Sequence, residues 1–306
     1  MTANGLVAGK VAIITGGAGS IGRAIALAMA DAGASVMVSD LGASLEGAGA
    51  DAGPAQRVAD EIRARGGQAI ANTLSIVEPG NAEKIVAEAV AAFGRVDILV
   101  NNAGILRDAF FHKMSWTDWS DVVDVHLHGA FHMSRAVAPH FRARGSGSFI
   151  HMTSTSALIG QRAQANYCAA KMGIAGLSRS IALDMEPFGV RSNCISPFAW
   201  SRMISSIKAE SEAEKSRVEK LQRMTPETVA PIVVYLGSDK AAGVSGQIFV
   251  MRNNEIMLMS QPRPVRTLHN SEGWTPERLD AMLKPALQSS FTPLEVSAQV
   301  FSWDPV

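Results

Sequence analysis

Residues 10–22 read KVAIITGGAGSIG, and this stretch decides the fold. Its first half, 10–15, is after Lys10 an unbroken run of apolar and β-branched residues, the pattern of a strand buried on both faces. Its second half is a turn of glycines. Residues 21–32 then carry apolar side chains at helical spacing and stop at Gly33, a residue suited to the backbone of a helix end. Strand, glycine turn and helix in this order leave backbone N–H groups at a helix start with no side chains in front of them, a natural seat for an anion.

The alternation continues outward. Further strands are predicted at 35–40, 68–74, 96–100, 148–153, 190–195 and, as the last, 247–251; helices are predicted at 55–65, 82–93, 116–144 and 164–185. Residues 207–223 interleave Glu and Lys, as a solvated helix face does, and Thr225-Pro226-Glu227 has the cap and first-turn residues of another helix. Apolar strands alternating with helices define an α/β protein, a Rossmann-type doubly wound parallel sheet with helices on both faces. One such domain is expected over 1–252. The texture of 253–306 differs. QPRP at 261–264 reads as extended chain, and a short helix is expected at 274–287. Phe291, Val296, Val300, Phe301 and Trp303 are costly to leave in water. This extension is expected to pack on the core or on a partner subunit, and the Met-rich stretch 251–259 to be core.

The composition narrows the function classes. Hydrophobic residues make up 47% of the 306 and charged residues 18%, too apolar for a disordered chain. The 28 basic and 28 acidic residues cancel, so no overall field draws the chain to nucleic acid or an anionic membrane. No apolar run approaches the ~20 residues of a membrane span, and MTANGLVAGK has no signal-peptide pattern. The expectation is a soluble, cytoplasmic protein. Cys168 and Cys194 lie in apolar segments and are read as small buried hydrophobes rather than a disulfide framework. His112, His128, His132 and His151 lack metal-ligand spacing and are read as structural or solvent-facing, so no metal site is expected.

Gly17, Gly19 and Gly22 fit GxGxxG, a weak signal made stronger by the strand before, the helix after and Asp40 at the end of the second strand. A dinucleotide would set its phosphates against Gly16, Gly19, Ser20, Ile21 and Gly22, and its adenosine ribose hydroxyls against Asp40. The Asp40 charge repels a 2′-phosphate, no Lys or Arg lies in the turn and Leu41 follows, so NAD is expected rather than NADP. Tyr167 and Lys171, four positions apart on a helical pattern, share a face. An ammonium close to a phenol favours the phenolate and brings tyrosine toward the range useful for proton transfer.

Joined by Asn101-Asn102-Ala103-Gly104, by Ser154 in MTSTSA and by Pro197, these motifs stand in the order and spacing of the short-chain dehydrogenase/reductase family, which the chain resembles over about residues 8–252. The resemblance implies a role for each matching position. Tyr167 is the general acid/base, Ser154 holds the same substrate oxygen, and Lys171 binds the nicotinamide ribose and lowers the tyrosine pKa. Ser75, Asn102, Ala103 and Gly104 touch the cofactor; Pro197, Phe198 and Ser201 border the nicotinamide. Hydride transfer belongs to the cofactor. A homodimer or homotetramer and a substrate lid over about 200–224 are also implied.

Four positions depart from the common pattern: Ser20 for a glycine, Leu74 for an adenine-binding Asp, Phe198 for the Gly after Pro197, and His126 for the helix Asn of a proton relay. His126 is open to two readings, a relay group or a satisfied core histidine. VHLHG (125–129), GILRD (104–108), the long loop 39–54 and SRM (201–203) look like a narrower group, the (3R)-hydroxyacyl-CoA dehydrogenase units of peroxisomal multifunctional enzymes type 2 and their bacterial relatives. The substrate expected from this is a hydrophobic secondary alcohol, foremost a (3R)-3-hydroxyacyl-CoA. A hydroxysteroid dehydrogenase and a 3-oxoacyl reductase are the neighbouring alternatives. A catalytically quiet NAD-binding protein acting through partner contacts is the alternative of another class.

Overall fold

The computed structural model describes residues 5–44, 46, 47, 49, 51–199 and 222–305. The decisive stretch forms β1 (Val11–Thr15), buried along its whole length, and α1 (Ser20–Asp31). Strands β2 (Ser35–Ser39), β3 (Gln68–Asn72) and β4 (Ile98–Asn101) follow, with α2 (Gly53–Ala64) and α3 (Asn81–Phe93) between them. The second half contributes α4 (Trp116–Val123), α5 (Gly129–Arg144), β5 (Gly147–Met152), the short α6 (Thr155–Leu158), α7 (Ala165–Met185) and β6 (Val190–Phe198). Last come α8 (Ala230–Gly237), β7 (Ile248–Arg252), β8 (Glu255–Leu258), α9 (Pro276–Leu287) and α10 (Ser297–Val300).

The sheet order is β3-β2-β1-β4-β5-β6-β7-β8. Every pairing from β3 to β7 is parallel, and only β8 runs antiparallel, against β7. Side chains alternate across β1 as a strand requires. Ala12 and Ile14 join Ile25 and Met29 of α1 and Val233 of α8 in one core layer, while Ile13 joins Ile85 of α3 and Met133 and Phe141 of α5 in the other. Strand order reverses between β1 and β4, so a crevice opens at their carboxyl ends, the place where such sheets take their ligands.

Several expectations are corrected. Residues 116–144 are not one α-helix: a π-helical turn, Asp124–His128, separates α4 from α5, closed by the Gly129 N–H on the Asp124 carbonyl. Thr225 opens a 3₁₀ turn, Pro226–Thr228, before α8 begins, and its side chain caps nothing. β7 is not the last strand. The Met-rich stretch turns back at Asn253 as β8, where Met251 is buried but Ile256 and Leu258 lie open at 60% and 64% exposure. The sheet thus runs past the boundary expected at 252. The helix expected at 207–223, the lid and SRM lie outside the described residues, apart from 222–224. Among the described residues no helix is long and apolar enough to cross a membrane.

Candidate active site

The glycine turn is built so tightly that its residue types follow from its geometry. Gly16 has φ of +62°, and a Cβ there would stand 2.7 Å from the Ala103 Cα. A Cβ on Gly22 would stand 2.1 Å from the Gly16 carbonyl oxygen, which leaves the first turn of α1 no way to carry a larger residue. Asn102 supports the turn from below: its Nδ2 donates to the carbonyls of Thr15 and Gly16, both at 3.0 Å. Thr15 Oγ1 in return accepts the N–H groups of Asn102 at 3.0 Å and Ala103 at 3.1 Å. Gly19, the N-cap of α1, brings no side chain to satisfy the first-turn N–H groups, which are left for a ligand. Asp40 sits just beyond β2. One carboxylate oxygen accepts the Ala18 N–H at 2.9 Å and the other the Gly42 N–H at 2.8 Å, which ties the acid to the glycine turn.

At the other end of the crevice, Ser154 is the N-cap of α6, its hydroxyl accepting the Ser156 N–H. Tyr167 and Lys171 project from the first turns of α7. That helix start is pinned by the buried Asn166, whose Nδ2 donates to the carbonyls of Arg107 at 2.9 Å and Asp118 at 2.8 Å. Lys171 Nζ donates to the Met152 carbonyl at 2.7 Å and lies 5.7 Å from the centre of the Tyr167 ring. The electrostatics differ from the expectation. Burial pushes the Tyr167 phenol up to about 12, with a hydrogen bond to Ser154 working the other way. Burial also pushes the Lys171 ammonium down to about 7. Desolvation, not the ammonium beside the phenol, dominates both groups.

His126 lies on the π-helical turn, and its ring stands edge-on to Tyr167, 5.1 Å between centres. Nε2 lies 2.8 Å from the Ile105 carbonyl and 3.1 Å from the Ile105 N–H. With Nε2–H donating to that carbonyl, Nδ1 is a buried acceptor without a partner among the described residues. Burial, and then the Lys171 charge, hold the imidazole well below its usual pKa. One ring nitrogen is thus satisfied by the backbone and the other is not.

One cavity of about 360 Å³ joins these parts. Gly16, Gly19, Ser20, Ile21, Gly22, Asp40, Ser75, Asn102, Ala103, Gly104, His126, Tyr167, Lys171 and Pro197 all line it. Ser154 and Phe198 do not: Ser154 directly follows the lining residue Thr153, and the Phe198 ring packs edge-on against Phe301 of the extension, 5.3 Å between centres. Ser201 lies outside the described residues. The cavity also has walls that the sequence reading missed, among them Ile76, Val125, Thr153 and the loop residues Leu41, Ser44 and Pro54. Cys194 is buried as expected, but Cys168, next to Tyr167, is only half-buried and points its thiol to the Ser156 carbonyl at 3.1 Å.

The residues present fit a dinucleotide. The glycine turn forms a cradle that Cβ atoms would fill, and the cradle leads from a helix start to a Ser–Tyr–Lys constellation. A doubly wound sheet with this site defines a nicotinamide-dependent oxidoreductase acting on hydroxyl groups, and the chain belongs to the short-chain dehydrogenase/reductase family. The matching family model, described as enoyl-(acyl carrier protein) reductase, spans residues 16–252. A hydroxyacyl-CoA dehydrogenase of Mycobacterium tuberculosis is 35% identical over 292 residues, 91% of this chain and 88% of that protein. The peroxisomal multifunctional enzyme type 2 of Mus musculus is 42% identical over 228 residues, 74% of this chain but 30% of the mouse protein. The crystal structure of a short chain dehydrogenase from Mycobacterium avium matches with a TM-score of 0.83 at 37% identity, covering 95% of this chain and 99% of that one.

Proposed function

We propose that this protein oxidises the hydroxyl of a (3R)-3-hydroxyacyl-CoA to the ketone, with NAD as the hydride acceptor. The observation that carries the chemistry is that Tyr167 and Lys171 stand at one end of a cavity whose other end is the glycine turn, with Ser154, which follows the cavity-lining Thr153, hydrogen-bonded to the Tyr167 phenol. The acyl-CoA substrate is supported by the relatives, since the M. tuberculosis dehydrogenase covers nearly the whole chain. Support for NAD comes from charge. Lys171 is the only Lys or Arg among the described residues lining the cavity, and the loop 41–54 contains Glu46 and Asp51 but no basic residue. A 2′-phosphate beside Asp40 would meet repulsion and no cation.

NAD bound in this cavity would supply the hydride acceptor, held by the glycine turn, Asp40 and Lys171. Ser154 orients the substrate by a hydrogen bond to its hydroxyl oxygen. Tyr167, in its phenolate form, takes the hydroxyl proton and becomes the neutral phenol as the carbonyl forms. Burial disfavours the phenolate and the ammonium separately, whereas their mutual attraction favours them together, so Tyr167 and Lys171 handle that proton as a coupled pair. His126 Nδ1, an acceptor beside them, provides the next hydrogen-bonding station. The exposed Trp116 and Phe131 on α4 and α5 support a homo-oligomer, read out by light scattering of the purified chain.

The reading is tested by following NADH formation with hydroxyacyl-CoA thioesters and hydroxysteroids. Turnover of at least one thioester is expected; turnover of steroids alone refutes the acyl-CoA assignment, and tight NAD binding without turnover on any alcohol refutes the enzyme. Tyr167→Phe should lose at least 10³-fold in kcat, in line with the loss of a general acid/base, while NADH affinity stays within about threefold by titration.

A further inference from the structure

The end of the chain returns to the active site. Helix α9 buries none of its residues, yet the segment beyond it docks closely. Ser297, 7% exposed, donates its backbone N–H to the Gly160 carbonyl at 2.9 Å and its hydroxyl to Thr155 Oγ1 at 2.7 Å. Thr155, itself buried, directly follows Ser154. A Cβ on Gly160 would stand 2.8 Å from the Glu295 carbonyl oxygen, so extension and loop are in direct backbone contact.

A second attachment lies six residues on. Phe301 packs on Phe198, next to the cavity-lining Pro197. The buried Arg252 is held by Glu255 at 2.9 Å and by the Trp303 carbonyl, and its guanidinium lies 5.1 Å from the Trp303 ring and 5.9 Å from that of Phe198. Trp303 Nε1 donates to Glu255 at 2.6 Å. The extension therefore joins the loop that leaves β5 to Phe198, the last residue of β6.

We infer that residues 295–303 form a clasp, and that Ser297 is a positioning residue which sets Ser154 through Thr155; the inference rests on the alcohol-oxidising role of Ser154 proposed above. The need for a clasp is physical. Ser154 caps a helix of four residues, far too short to hold its own shape. The connection from Ser154 to Tyr167 is fastened at its far end, where the Ala109 N–H meets the Ala163 carbonyl at 2.9 Å and Gln164 meets Asp108 at 2.9 Å. At the near end, the Cys168 thiol of α7 reaches the Ser156 carbonyl at 3.1 Å, and Ser297 fastens Thr155, the residue next to Ser154. Loss of its hydroxyl leaves Thr155 Oγ1 buried without that partner and frees the loop, and a reactant-orienting group displaced by about 1 Å can cost on the order of 10²-fold in rate.

The test compares Ser297→Ala, Ser297→Thr and Thr155→Val in the full chain, by amide hydrogen exchange over 155–160 and by steady-state kinetics. Faster exchange there in Ser297→Ala and Thr155→Val, with wild-type rates over the glycine turn, is expected. Their kcat should fall roughly tenfold with the NAD KM unchanged, and Ser297→Thr should restore both readouts. Unchanged exchange or unchanged kcat in Ser297→Ala overturns the clasp, as does an equal loss of kcat and NAD affinity. If the wild-type chain turns over no alcohol, the functional reading fails, while the exchange data still decide whether Ser297 holds the loop.

Discussion

Removing the charge of Asp40 is the sharpest probe of cofactor choice. Each carboxylate oxygen already accepts one backbone N–H, from Ala18 and from Gly42, which leaves one acceptor site on each oxygen for the two ribose hydroxyls. Hydrogen bonds to a charged group are worth about 1.5–3 kcal/mol each, and partial exposure at Asp40 cuts the pair to about 2–3 kcal/mol in all. Asp40→Ala should then weaken NADH binding by about 30- to 150-fold. The effect on NADPH runs the other way. Two unit charges 4 Å apart at an effective dielectric of 20 repel by about 4 kcal/mol, and screening at this half-exposed position leaves about 2, a gain of roughly 30-fold. Asp40→Asn separates the two effects, because it keeps an acceptor but not the charge: NADPH should gain as much as in the alanine variant, and NADH should lose less. The assay is fluorescence titration of both reduced cofactors at low and high salt, which needs no alcohol substrate. NADPH affinity within twofold of wild type in both variants would refute the charge argument.

The buried Lys171 supplies a pH signature. The unfolded chain keeps the lysine proton up to the ordinary pKa of 10.5 and the fold releases it near 7, so the unfolded state binds more protons between these values. Native stability should therefore rise with pH across that window, by about 2–3 kcal/mol between pH 7 and 9. Lys171→Met should flatten this rise in urea titrations while abolishing turnover; an unchanged pH dependence would exclude Lys171 as its source. Gly22→Ala, whose Cβ would overlap the Gly16 carbonyl, should cost at least ~2 kcal/mol of stability and all measurable NADH binding. Near-wild-type thermal stability and NADH titration would show that the turn can yield.

The parallel sheet was legible in the sequence because strands buried on both faces are unbroken apolar runs, and the turn between β1 and α1 because only glycine tolerates its close contacts. β8 escaped because the apolar run Ile256-Met257-Leu258-Met259 reads with Met251 as core, not as a strand turning back along the sheet edge. Its signal was Asn253-Asn254, a two-residue hairpin turn in which Asn253 takes φ of 54°. Phe198 was misplaced by reading adjacency instead of alternation. β6 continues through it, so its side chain leaves the sheet on the face opposite to Pro197. For Tyr167 and Lys171, spacing revealed a shared helix face but not depth, and depth sets the direction of both pKa shifts.

The π-helical turn at Asp124–His128 has a consequence for how this site can vary. Each residue of a helix advances the side-chain direction by about 100°, so the one extra residue there works as a phase shifter between α4 and α5. α5 keeps Met133, Val137 and Phe141 on the core whatever the phase of α4, and α4 meets α7 on its own terms. His126 is the side chain that the offset turns inward, onto Ile105 and Tyr167. Deleting one residue within 124–128 would restore α-helical phase and sweep a different neighbour through that position, with both long helices still packed. The identity of the group beside the reacting tyrosine is thus set by the local winding of the helix as much as by the residue written at position 126.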